Sequence, residues 1–309
     1  MKSRKSTRFL FIVLAVSLFT SVLYIPLASA GGLKKVVAVS RFENKTSYGT
    51  GGAWDIGNGM SDQLTDALIQ SGNFVVLERQ TLGDVIGEQD LASSGRTMKS
   101  KSARTGKITS AQILIKGAIT EYDRSSSGSD TGVSVMGVHV GGSKGEAHVG
   151  LIIRMIDTTT SEVLASKRVE GKAKSGGLNF GINVGSVGFG TKGFKKTPLG
   201  KATQIAIDNA VEAISSGLEN IPYQGRVILV KGESLYLSAG TRTGAAVGDE
   251  FTVYSLGEEL VDPDTGEMLG SEEEKLGKVK IYSVKEKFSK ARAVGTLNGA
   301  EKGNIIRAQ

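Results

Sequence analysis

Cysteine is absent from all 309 residues. That removes disulfides, thiolate metal sites, a cysteine nucleophile and a lipid-modified N-terminal cysteine, so the composition reads as a protein that is not a lipoprotein. Histidine is nearly as scarce: only His139 and His148 occur. Both fall in a stretch patterned as strand, where an imidazole is expected to face a pore or solvent rather than to catalyse. Beyond residue 30 no uninterrupted apolar run reaches the roughly 20 residues a membrane helix needs, so any membrane contact must come from strands or an amphipathic surface.

Motifs for chemistry are missing as well. Gly106 and Lys107 are preceded by Lys101 where a phosphate loop carries its first glycine, and Ile108 stands where that loop carries a hydroxyl. No serine sits between glycines at nucleophile-elbow spacing after a strand. Asp262, Asp264 and Glu267 lack the next alternate ligand of a calcium loop and read as a hairpin turn with Pro263 and Gly266. The expectation is a non-enzymatic protein with no cofactor and no metal.

The formal net charge is +7, and Lys2, Arg4, Lys5 and Arg8 supply four of those charges with no acidic residue among the first thirty. Without them the balance is about +3, which is 7 minus 4. The remaining Lys and Arg are interspersed with Asp and Glu apart from Lys192, Lys195 and Lys196, a cluster expected on a solvated face or strand end. Nucleic acid is not expected as a partner. The four basic residues precede an apolar run from Phe9 to Leu27 and the small residues Ala28, Ser29 and Ala30. This is the pattern of a secretory signal peptide, residues 1–30, cleaved near Ala30.

What the chain has in abundance is glycine, 42 residues, and its placement carries information. Between 175 and 196 Leu178, Phe180, Ile182 and Val184 alternate with glycine and asparagine, and Val187 and Phe189 follow. Between about 130 and 156 Val133, Val135, Val138 and Val140 lead to a glycine turn at 141–142 and an outgoing Ala147, Val149, Leu151 and Ile153. Each segment divides into two runs of about ten residues, the length that crosses a bilayer as a tilted strand. Read as membrane hairpins, they put Val133, Val135, Val138, Val140, Val149, Leu151, Leu178, Phe180, Ile182, Val184, Val187 and Phe189 toward lipid. Two hairpins alone leave unpaired backbone edges in hydrocarbon, at several kcal/mol per group. Several copies must therefore close a ring, so the expected partner is the chain itself.

Around these segments the pattern is α/β: a mixed sheet with flanking helices over 31–222. Residues 35–42 (KVVAVSRF) form an apolar strand. Ile56, Met60, Leu64 and Leu68 mark a helix capped by Asp55 and stopped at Gly72 and Asn73. FVVL at 74–77 is the next strand, and Leu82, Val85 and Ile86 mark a second helix. Strands follow at 113–122, 149–156 and 162–170. A long helix from Leu199 to Leu218, with Thr197 as cap and Pro198 at its first position, closes the domain. From Tyr223 to residue 309 short alternating runs separated by turns predict a small all-β barrel or sandwich.

With VVAVSRFENKT (36–46), ALIQSGNF (67–74), FVVLERQTLGDVIGEQ (74–89), ILIKGAITEYD (113–123) and IRMIDTTTSEVLAS (153–166) in view, the chain resembles the CsgG family of curli secretion channels over roughly 33–221. The tail from Tyr223 is similar instead to the C-terminal domain of the flagellar assembly protein FlgT. The first resemblance implies a ring-shaped outer-membrane channel to which each protomer donates two hairpins, exporting unfolded amyloid subunits with periplasmic accessory factors. It places the protein in the outer membrane and periplasm. It also implies a constriction loop between the first strand and first helix. Here that loop, 43–54, offers Tyr48 and Trp54 as its aromatics, while an ungapped alignment puts the family's aromatic and asparagine near Gly52 and Gly51. The alternative reading is a soluble periplasmic or envelope binding or scaffold protein of the same fold, including a ring around another envelope machine, with the glycine-rich segments as loops.

Overall fold

The computed structural model describes residues 32–47, 55–98, 100, 102–126, 133–135, 138–140, 145–174, 192–266 and 268–308. β1 (Lys35–Val39) pairs in parallel with β3 (Phe74–Leu77) and with β4 (Ile113–Ser126). Val36, Val37, Ala38 and Val39 are all buried, so both faces of β1 are covered, and its sequence is correspondingly apolar without alternation. β4 then pairs antiparallel with β7 (Gly145–Asp157), and β7 with β8 (Val163–Lys174), in the order β3-β1-β4-β7-β8. The two-residue strand β2 (Glu43–Asn44) runs beside β4. β5 (Val133–Val135) and β6 (Val138–Val140) form a separate two-stranded pair.

α1 (Ile56–Ser71) covers this sheet with Ile56, Met60, Leu64 and Leu68, each 2% exposed or less. Its ends follow the sequence chemistry: the Asp55 carboxylate accepts from the Asn58 N–H at 3.1 Å, and Gly72 adopts the left-handed φ of 70° that ends the helix. A short helix α3 (Lys192–Lys195) leads into α4 (Pro198–Leu218), which Thr197 caps by accepting from the Gly200 N–H at 3.0 Å. Ala202, Ala206, Ile207, Ala210 and Ile214 of α4 are fully buried against β7 and β8. The approach is close because the facing residue of β8 is Gly171. A Cβ there would lie 1.9 Å from the Ala202 carbonyl oxygen.

α2 (Leu82–Ser93) differs. None of its residues is buried, and Val85, Ile86 and Leu91 are 42%, 44% and 39% exposed. Isolated helices of this length are marginal in water, so this one is formed without the apolar burial that stabilises α1.

From Gln224 onward the chain closes a six-stranded antiparallel barrel. Its strands are β9 (Gln224–Lys231), β10 (Ser234–Leu237), β11 (Glu250–Val261), β12 (Met268–Val284), β13 (Ser289–Val294) and β14 (Ile305–Ala308), in the order β10-β13-β12-β11-β14-β9. Inward residues Val227, Leu237, Phe251, Val253, Val279, Ala291 and Ile306 fill it, with the Tyr223 ring edge-on to Phe251 at 6.3 Å. The barrel is joined to the sheet by polar and apolar contacts near β1. The Lys34 N–H donates to the Thr243 carbonyl at 2.8 Å, Gln112 donates to the Gln224 carbonyl and accepts from the Val36 N–H, and Leu33 packs on the barrel core.

Candidate functional site

The sheet's register brings two breaks in the chain to one place. Ser126 at the end of β4 pairs with Gly145 at the start of β7, and the next residue, Glu146, pairs with Lys174 at the end of β8. Residues 127–144 therefore leave and re-enter the sheet beside the point where 175–191 leave it. Both glycine-patterned segments are rooted at the same end of three adjacent strands.

A charged cluster straddles those strands just below the roots. The Glu121 carboxylate on β4 lies 3.0 Å from His148 Nδ1 on β7, and the Glu170 carboxylate on β8 lies 3.2 Å from His148 Nε2. Arg168 pairs with Glu121 and reaches Glu170 at 3.5 Å, while the Lys172 ammonium sits 3.0 Å from Glu170. With a carboxylate on each ring nitrogen, His148 donates from both when protonated, and it links the outer strands through the middle one. The hydrogen bond from Lys172, followed by that from His148, holds the Glu170 carboxyl below the usual carboxylate range. Gly150 next door accommodates Glu121, whose Cβ would stand 3.1 Å from a Cβ at that position.

Glu121, His148 and Glu170 present ligand atoms within 4.8 Å of one another, a spacing that could hold a metal ion. Arg168 and Lys172 already neutralise both carboxylates, so the donor set fits an ion-pair network better than a divalent cation. This cluster was not legible from the sequence. Glu121, His148 and Glu170 lie 27 and 22 residues apart, and only the antiparallel register aligns them.

The expected lipid-facing residues divide into three groups. Leu178, Phe180, Ile182, Val184, Val187 and Phe189 lie outside the described residues, as do Tyr48 and Trp54 of the expected constriction. Val133 and Val135 stand in β5 opposite Val140 and Val138 in β6, a separate two-stranded pair that falls between β4 and β7 in the sequence. Val149 and Leu151 require a correction: both are fully buried in the core with Ile153 and Met155, packed under α4 rather than turned to lipid. Their alternation is real, but it belongs to a central sheet strand with one face on a helix layer. The partner of residues 145–157 is β4 and β8, not the run 133–140, so the segment near 130–156 is not a self-contained hairpin. At the other segment, the last residues of 175–196 form α3, and Phe194 is buried in the same core.

A mixed sheet covered by helices, carrying two insertions at one end and followed by a closed barrel, defines an α/β protein with a barrel tail. Residues 24–223 match the model of the family described as curli production assembly/transport component CsgG, and the chain belongs to that family. The match ends where the barrel begins. A Neisseria meningitidis serogroup B protein named as a lipoprotein is 24% identical over 198 residues, spanning 62% of this chain and 80% of that protein. Solved structures to which the chain is similar include hypothetical protein CT253 of Chlamydia trachomatis, at TM-score 0.40, 14% identity, 60% of this chain and 99% of that one. Another is a PelC dodecamer from Paraburkholderia phytofirmans, at TM-score 0.27, 16% identity, 60% of this chain and 88% of that one.

These names correct the localisation read from composition. The meningococcal relative is named as a lipoprotein, which conflicts with placing this protein among non-lipoproteins on the strength of a missing thiol. Absence of cysteine addresses one attachment chemistry; it does not set the address of the family.

Proposed function

We propose that this protein is a non-enzymatic subunit of a ring-shaped secretion channel of the curli type, in which each copy lends segments 127–144 and 175–191 to one shared β-barrel that passes unfolded polypeptide. The observation that carries the reading is the common root of the two segments at Ser126, Gly145, Glu146 and Lys174. Two ribbons that enter a bilayer side by side from one rigid sheet meet the geometric need of a barrel wall. Ribbons from a single copy leave open edges that hydrocarbon does not tolerate. The cross-strand cluster around His148 keeps the three supporting strands in register where the wall begins. A lumen lined by Gly, Asn and Ser would offer an extended chain little to bind.

Reconstitution into planar bilayers tests this, with the full chain set beside a variant lacking 129–142 and 178–188. Stepwise ion conductance from the full chain, ring particles in detergent, and a folded but non-conducting deletion variant are the expected results. A full chain that neither conducts nor forms particles larger than one copy overturns the proposal.

A further inference from the structure

The tail barrel separates its charges. Residues 256–275 hold eight Asp and Glu against one Lys, whereas the rest of 223–309 holds eleven Lys and Arg against five Asp and Glu. The acidic part is also structurally distinct. β14 pairs with β11 only over Phe251–Tyr254, and β13 pairs with β12 only from Lys278 onward, so beyond those points β11 and β12 continue as a two-stranded arm outside the barrel wall. Seven residues from Ser255 to Val261 carry it about 20 Å outward.

Such a ribbon is marginal alone, and this one exposes apolar side chains along its length: Leu256 at 40%, Leu260 at 52%, Val261 at 51% and Leu269 at 64%. The barrel wall offers the complement. Arg292 on β13 stands directly opposite Lys280 on β12, which Glu250 already pairs at 3.0 Å, and Lys285 and Lys287 are exposed in the turn that joins the two strands. The Arg292 guanidinium lies 4.8 Å over the Tyr282 ring, and the Lys290 ammonium 5.2 Å over Tyr236. This is a basic, aromatic surface with Tyr282 40% exposed.

We propose that the acidic β11–β12 arm docks on the basic, aromatic barrel wall of a second copy of this chain. An arm on one side and its receptor on another make the contact heterologous, the kind that repeats around a closed ring. The proposal rests on the ring reading for its second copy but not on any membrane step, and it gives the tail barrel the task of joining neighbours.

The test uses the full chain in detergent with three charge-reversed forms: Glu258→Lys with Glu272→Lys and Glu274→Lys on the arm; Arg292→Glu on the wall with Lys285→Glu and Lys287→Glu in the β12–β13 turn beside it; and all six together. Particle mass against protein concentration is followed by light scattering, and folding by circular dichroism. Each three-site variant is expected to need about tenfold more protein to assemble, and to assemble normally when the two are mixed, since arm and wall then match across alternating copies. The six-site variant is expected to regain self-assembly. Unchanged assembly by both three-site variants, or no rescue on mixing, overturns the arm contact while leaving conductance to judge the channel. A wild-type chain that stays single at every concentration overturns the ring as well.

Discussion

In the α/β half, α1 buries Ile56, Met60, Leu64 and Leu68 and α4 buries Ala202, Ala206, Ile207, Ala210, Ile214 and Leu218, while α2 buries none of its residues and keeps Val85, Ile86 and Leu91 in solvent. In the barrel the wall closes on itself and no apolar helix is left over, but acid gathers on one projecting arm and base on the wall. The first half leaves one apolar helix in solvent, and the second adds to its exposed apolar arm a separation of charge. Burial of apolar area is strong and undirected, whereas charge complementarity selects partner and orientation. The proposed assembly from copies of this chain would draw on both, one for the strength of the contact and one for its register.

Three changes sharpen that contrast. The largest effect is expected inside the α/β half at Gly171→Val. Valine favours strands, yet its Cβ would overlap the Ala202 carbonyl oxygen and force α4 off the sheet. A loss of about 3 kcal/mol or more is expected, read as a collapse of the thermal transition, while a variant as stable as wild type would show that α4 does not sit where the structure puts it.

Next come two helices of similar composition placed in different surroundings. Leu64→Ala in α1 empties a fully buried site and is expected to cost about 2–5 kcal/mol in urea unfolding. Ile86→Ser in α2 removes an exposed side chain and is expected to shift the same transition by less than about 0.5 kcal/mol. Equal losses from the two would mean that α2 is packed in the single chain.

The smallest effect concerns pH. The Glu170 carboxyl is held below its ordinary range in the folded protein, chiefly by Lys172 and then by His148. A depressed folded pKa stabilises above the unfolded value and is lost as pH falls through the folded one. Melting temperature is therefore expected to drop toward acid faster in the wild type than in Glu170→Gln, with the two curves converging at the acid end. Parallel curves across the whole range would remove the cluster's electrostatic role.

Much of this was legible beforehand because it follows from local rules. The four-residue steps of Ile56, Met60, Leu64 and Leu68, the Asp55 cap, the Gly72 stop and the Thr197-Pro198 start of α4 all stand where spacing and capping put them. The turn at Asp262 is likewise set by its own side chain, which accepts from the Asp264 and Thr265 N–H groups at 2.8 and 2.9 Å. The partner of residues 145–157 was misread, because alternation reports that a strand has two faces and not which strand lies beside it or what covers it. β14 was not picked out either. Four residues are too short for a pattern, and Ile305–Ala308 becomes a strand because β9 and β11 are there to receive it.

The sequence by itself determined α1, α2 and α4, the caps of α1 and α4, the turn at Asp262 and the division into an α/β half and an all-β tail, since each is decided by neighbours within a few positions along the chain. Tertiary structure alone decided that Val149 and Leu151 are core, that Glu121, His148 and Glu170 meet, and that two distant insertions share one root. Those facts depend on strand order and register, which are fixed by how whole faces pack and by backbone pairing between segments far apart in the chain.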